Sequence, residues 1–196
     1  MCYTTNMETK ELSNIKSSEE FKTWLEKNYS EEKCCYLELK RGRPQNDGNF
    51  YYLDAVDVAL CYGWIDSTLT KIDGKYAHKF TPRSKNSLWT ELNKERVRRL
   101  EKLGLMTDAG RKVLPDMSLN PIEIPDDVKN ALIKENAFEN FNSFPELYKR
   151  IRIYNLNFYK KKLPNEYQKA LVNFVKHTKE NKMYGLWNDY GRLLDY

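Results

Sequence analysis

At 196 residues, with 40% apolar side chains and 14 tyrosines, the chain has material for one domain, or for one domain with an appendage. No run of about 18 apolar residues occurs, which excludes a membrane-spanning helix, and residues 1–10 are polar and of mixed charge, unlike a secretory leader. A net charge of +5 is too mild to mark a dedicated nucleic-acid binder, and the four cysteines, at positions 2, 34, 35 and 61, have no metal-ligand spacing and read as reduced thiols of a cytoplasmic protein.

Ser17 or Ser18 caps a first helix, with Glu19 and Glu20 in its first turn and Phe21, Trp24 and Leu25 as its buried stripe. Residues 34–40 alternate, with Cys35, Leu37 and Leu39 on one side, and read as a strand. Residues 41–49 hold two glycines, a proline, two asparagines and two arginines. This is a basic loop, either bordering a site or serving as a solvated connection. A helix over residues 52–63 follows, because Tyr52, Val56, Ala59, Leu60 and Gly63 share one face. Asp54 and Asp57 suit its N-terminal half, Asn49 is a weak candidate cap, and Gly63 suits the exit.

The period then changes to two. Residues 64–72 and 75–81 are strand-like runs separated by Asp73-Gly74, a pair that favours the type I′ turn of a two-residue hairpin. Regular pairing from that turn sets Ile72 opposite Lys75, Leu69 opposite His78, Ser67 opposite Phe80, Asp66 opposite Thr81 and Trp64 opposite Arg83. Ile65, Leu69, Tyr76 and Phe80 then form the core face, with Ser67 and His78 among them. The other face carries Trp64, Asp66, Thr68, Thr70, Lys79, Thr81 and Arg83, a set suited to an anionic or planar ligand.

The run Ala55-Val56, Ala59 to Asp66, Phe80-Thr81-Pro82-Arg83, Ser87-Leu88-Trp89, Asn93, Arg96-Val97, Leu100, Gly104, Met106 and Gly110 resembles the YdeI/OmpD-associated family, also labelled bacteriocin-protection. The resemblance covers residues 21–110 well and the C-terminal helices loosely. It implies a bacterial protein and no established reaction, cofactor or catalytic set. Family members end in an Arg-x-x-Arg-Ile helix, which is absent here after Phe174.

Asn86 or Ser87 caps a helix over residues 88–103, with Trp89, Asn93, Val97, Leu100 and Leu103 as one stripe. Lys94, Arg98 and Lys102 form a basic stripe diluted by Glu91 and Glu95. Gly104 ends this helix, and Thr107 caps a short one that Pro115 stops. Pro115, Pro121 and Pro125 punctuate a connection over residues 115–125. Beyond it all is helical. Asp126 caps a helix to Glu135, and residues 137–144 form another. Pro145 fits the start of a helix with Leu147, Ile151, Tyr154 and Phe158 on one face. Pro164 starts a last helix with Tyr167, Leu171, Phe174 and Val175 buried. The aromatic tail of Tyr184, Trp187, Tyr190 and Tyr196 packs down on the domain, or closes over the hairpin's polar face.

The predicted fold is therefore α+β. A small antiparallel sheet of about three strands packs on helices and a helical C-terminal region follows. The core domain covers residues 1–114, the connection 115–125 and the helical region 126–196. The candidate ligand residues are Trp64, Asp66, Lys79, Thr81, Arg83 and Trp89. Asp66 and Arg83 form either a structural cross-strand ion pair or a ligand-holding pair, Arg83 taking an anionic group and Asp66 accepting from a ligand NH or OH. Trp64 and Trp89 either stack on a planar ring or belong to the core. His78 reads as a half-buried core imidazole, His177 as a helix C-terminal cation, and Cys61 as a buried thiol. No metal site, cofactor loop or nucleophile elbow is present in the pattern. A small anionic or planar ligand is the first reading of the partner. A protein- or nucleic-acid-binding module using Arg41, Arg43 and the Lys94–Lys102 stripe is the second. Neither a reaction nor an oligomeric state is legible.

Overall fold

A two-residue turn sets the geometry of the sheet. Asp73 (φ 48°) and Gly74 (φ 81°) both take left-handed angles, the requirement of the tight hairpin that an Asp-Gly pair signals. The computed structural model describes residues 11–84, 87–194 and 196, so Cys2, the segment 1–10 and the candidate cap Asn86 lie outside the described residues. Among the described residues the fold is α+β as the sequence predicts. A three-stranded antiparallel sheet of order β1-β3-β2 is built from β1 (Cys35–Leu37), β2 (Trp64–Ile72) and β3 (Lys75–Pro82).

From the turn the register runs as expected through Ile72↔Lys75, Leu69↔His78 and Thr68↔Lys79. There it breaks. A β-bulge at Ser67 sets Asp66 opposite Phe80, Ile65 opposite Thr81 and Trp64 opposite Pro82. The pairs Ser67–Phe80, Asp66–Thr81 and Trp64–Arg83 that regular alternation predicts are therefore not formed. One extra residue inverts every side chain beyond it. Trp64 and Asp66 join Phe80 and His78 on one face, where β1 adds Cys35 and Leu37. Ile65 moves to the other face with Lys79 and Thr81.

The face of Phe80 is covered by α1 (Ser18–Asn28) and α2 (Tyr52–Cys61). Ser17 caps α1 by accepting from the Glu20 amide, and Phe21 and Leu25 are fully buried. The Phe21 ring sits 5.4 Å from Phe80, and Trp24 meets Trp64 edge-on at 5.6 Å. Asn49 does not cap α2, whose cap position is Tyr51 without a side-chain bond. The helices cover only the base of the hairpin. Leu69 and Tyr76, expected in the core, project from its tip at 46% and 62% exposure. The second face is not bare, since Tyr36, Ile72 and Ala77 form a small buried cluster there with Leu12 and Cys34 against it.

Helix α4 (Asp108–Arg111) closes this part of the fold. Thr107 caps it as predicted, accepting from the Gly110 amide while its hydroxyl donates to the Cys61 carbonyl at 2.5 Å. Gly110 is required here, because a Cβ would fall inside that same carbonyl. Helix α3 (Glu91–Lys102) starts later than the sequence suggests. Thr90 Oγ1, not Ser87, accepts from the Asn93 amide. Gly104 (φ 69°) ends it, with the Leu105 amide returning to the Leu100 carbonyl. Val97 and Leu100 are buried, whereas Leu103 is exposed.

The chain groups into two compact units. The first ends at Ser87 and resumes over Leu100–Pro115; the second comprises Leu88–Arg99 and Asp116–Tyr196. The break after Pro115 falls at the start of the proline-punctuated connection, while Leu88–Arg99 groups with the second unit because Leu92 packs into its apolar core. That core is made by α5 (Asp126–Lys134), α6 (Phe138–Ser143), α7 (Glu146–Lys162) and α8 (Pro164–Lys179). Pro125 rather than Asp126 takes the cap position of α5, and Pro164 opens α8. Tyr167, Leu171, Phe174 and Val175 are buried as predicted. On α7, Leu147 and Ile151 are buried but Phe158 is not; Tyr148, Ile153 and Leu156 complete the apolar face. The tail packs into this same core through Trp187, 5.5 Å from the Tyr148 ring, and Leu193.

Candidate functional site

The bulge assembles a polar cluster beneath the helices of the first unit. Asp66, turned inward, accepts a hydrogen bond from Tyr52 Oη at 2.7 Å, joining β2 to the first turn of α2. The Tyr52 ring lies 4.9 Å from the imidazole of His78, which is buried. Burial pushes the His78 pKa below its ordinary value, the Arg41 cation adds to the effect, and Asp66 opposes it only in part. His78 is therefore a neutral imidazole at neutral pH.

Arg83 is 6% exposed. Its amide donates to the Gly63 carbonyl at 2.8 Å, which fixes it beside the end of β2, and Nη1 reaches Ser87 Oγ at 3.4 Å. Burial lowers its pKa to about 10, more than the Asp66 charge restores. The guanidinium remains cationic near pH 7. The cluster thus sets one carboxylate against the fields of two arginines, with a phenol and a neutral imidazole as hydrogen-bonding groups.

The depressed His78 pKa has a measurable consequence. Below about pH 6.5 the unfolded chain takes up a proton on His78 that the folded chain refuses, so stability falls as pH drops through that range and levels off below the folded pKa. We expect His78→Gln to flatten this slope in urea-unfolding midpoints measured between about pH 7 and 5. An unchanged slope would remove His78 as its source.

The six residues expected to form a site are dispersed. Arg83 is buried and Asp66 half-buried, and the Asp66 charge acts on the Arg83 guanidinium. Trp64 is 1% exposed, and its Nε1 donates to the Tyr29 carbonyl at 3.1 Å, so it is a core residue and not a stacking platform. Lys79 and Thr81 lie on the other face, Lys79 over the Tyr36 ring at 5.6 Å. Trp89 is half-buried and belongs to the second unit. Tyr52 and His78 were not among the expected residues. Alternation put His78 on the face of Phe80, but the inversion that brings Asp66 beside it has no local signature.

The basic loop over residues 41–49 is pinned at its neck. Lys40 pairs with Tyr51 in a parallel bridge through bonds of 2.9 and 3.0 Å. Asp47 receives Lys40 Nζ at 2.7 Å and Tyr51 Oη at 2.8 Å, contacts that hold its carboxyl far below the usual carboxylate range. Arg41 and Arg43 are left exposed on the loop. The basic stripe of α3 is not a free face. Lys94 pairs with Glu91 at 3.1 Å, and Arg98 with Glu95 at 2.7 Å, where Arg150 and Tyr196 converge as well.

Among the described residues no group of three His, Cys, Asp or Glu is placed to hold a metal ion, and no helix is long and apolar enough to cross a membrane. No curated protein and no solved structure matches the chain. Residues 13–113, which contain the whole Tyr52–Asp66–His78–Arg83 cluster, match the model of a family described as a domain of unknown function, DUF8412. The match takes in more than half of the 196 residues, and the chain belongs to that family.

Proposed function

We propose that the first unit is a binding domain for a small anion, held by Arg83 beside Asp66, Tyr52 and neutral His78, with Arg41 adding positive field. One observation carries the reading. A guanidinium with 6% exposure lies within the field of Asp66, whose carboxylate accepts from Tyr52 at 2.7 Å and whose charge also reaches the buried His78. Arg83 would offer its fork to an anionic group, and the Tyr52 hydroxyl and His78 would orient it. The cluster lies within the segment that the family shares. Asp66 and Arg83 also belong to the residues that resemble YdeI/OmpD-associated proteins, and that resemblance supports a cytoplasmic, bacterial setting with a role in bacteriocin protection. No reaction is assigned. The local constellation supplies recognition groups, not an activated nucleophile.

The test is a thermal-shift comparison of wild type and Arg83→Met with inorganic phosphate, a panel of small carboxylates and a short single-stranded RNA, at low and moderate salt. Native-state binding raises the melting temperature by mass action. A shift with a small anion that survives moderate salt and is lost in Arg83→Met supports the reading. A shift with RNA alone, abolished by salt, would favour a nucleic-acid module on the Arg41 loop. No shift, with Arg83→Met merely less stable, would reduce the cluster to a structural ion pair.

A further inference from the structure

Arg152 of α7 is a cation held in place without an anion. Its guanidinium stacks 4.3 Å from the Tyr184 ring and 5.2 Å from Tyr148, and Nη2 donates to the Tyr184 carbonyl at 2.6 Å. Among the described residues no carboxylate lies within ion-pair distance of it, and its Nε is buried without a hydrogen-bond partner. Three contacts from two residues, Tyr148 and Tyr184, therefore fix the position of a charge that they do not neutralise. The tail backbone approaches closely because residue 185 is glycine (φ 74°), where a Cβ would stand 2.7 Å from Nη2. The His177 ring also lies 4.5 Å from that of Tyr184.

Arg152 lines a cavity of about 300 Å³ between α7 and α8, walled by Tyr184. Leu156, Tyr159 and Ala170 supply apolar surface, Asn155 and Asn173 add amide groups, and Glu166 and Lys169 place one charge of each sign on the exposed wall. That volume is at the small end of ligand sites. A fixed guanidinium beside apolar and amide groups, with the exposed Lys169 offsetting the exposed Glu166, matches a carboxylate on a compact apolar or planar body.

We propose that the second unit carries a separate site for a small carboxylate of this kind, in the α7–α8 cavity, with Arg152 as its anchor. It lies outside residues 13–113 and is independent of the Arg83 cluster. The experiment is an amide-resolved NMR titration of the full chain with sodium benzoate, with sodium acetate as a ligand lacking the planar body. Benzoate moves the amides of Ala170, Asn173 and Gly185 saturably, and acetate does so far more weakly. Ala170→Leu fills the cavity while leaving Arg152 intact, and Arg152→Lys keeps the charge but loses the fork; each weakens benzoate on the order of tenfold or more. Arg83→Met leaves these shifts unchanged, which separates this site from the first. Benzoate that fails to move these amides, or binds equally to Ala170→Leu, overturns the proposal.

Discussion

Arg96→Ala will destabilise the second unit by about 3–5 kcal/mol, the cost of removing one partner from a buried ion pair. Arg96 Nε and Nη2 meet the two oxygens of Asp189 at 2.6 and 2.8 Å, and the side chains are 8% and 4% exposed. Nη1 also donates to Asn93 Oδ1 at 2.8 Å. The carboxylate belongs to a turn in which Asp189 (φ 48°) and Tyr190 (φ 59°) are consecutive non-glycine residues in the left-handed region. Such a conformation costs of order 1 kcal/mol or more at each position and persists only where neighbours enforce it. Without Arg96 the carboxylate is buried and uncompensated, and the turn that sets Trp187 and Leu193 into the core is released. Asp189→Asn should cost less, because the amide oxygen still accepts from the guanidinium and asparagine tolerates left-handed angles. Urea unfolding followed by Trp fluorescence measures both. If Arg96→Ala stays within about 1 kcal/mol of wild type, the pair holds nothing that the apolar contacts do not.

That ion pair also marks where sequence reading stops. Its residues are 93 positions apart, and neither carries a local sign of the other. What was legible was local chemistry. Asp73-Gly74 specified the hairpin, Thr107 and Gly104 specified helix ends, Pro164 opened α8, and the stripe of Tyr167, Leu171, Phe174 and Val175 was buried as its spacing required. A small antiparallel sheet of about three strands followed from the strand-like runs, but the order β1-β3-β2 did not. The site was less legible because it depends on the bulge. Ser67 is not a residue type that announces one, and its side chain merely bonds the Lys79 carbonyl at 3.3 Å. The reasons for the inversion lie elsewhere in the chain: the Tyr29 carbonyl that receives the Trp64 indole, the Trp24 ring beside it, and the Tyr52 hydroxyl on Asp66. Tertiary partners decided which of two self-consistent faces went inside. Leu69 and Tyr76 show the converse. Their alternation fits a core face, but the strands outrun the helices that cover it.

Trp64→Ala is the measurement that separates the two registers most sharply, with an expected loss of about 3–5 kcal/mol. The indole is 1% exposed, packs edge-on to Trp24 and satisfies the Tyr29 carbonyl. Trp64→Phe should recover much of the loss but leave that carbonyl short of a donor, a residual cost of about 1–3 kcal/mol. Ile65→Ala should be milder than Trp64→Ala, since Ile65 is only half-buried on the opposite face beside Thr81. A regular ladder through Ser67 inverts this ranking, making Ile65 the core residue and Trp64 a surface one. Deleting Ser67 supplies an independent arm. The pairs Asp66↔Phe80 and Thr68↔Lys79 flank the extra residue, so its removal leaves a regular ladder with Trp64 still facing inward. The deletion should therefore cost far less than Trp64→Ala and should preserve the Tyr52–Asp66 bond. If Ile65→Ala proves the more damaging substitution, or if the deletion is as damaging as Trp64→Ala, then Asp66 does not sit beside His78 and the anion site has no basis. If the ranking holds, the bulge that buries the indole is also what builds the Asp66–His78–Arg83 cluster.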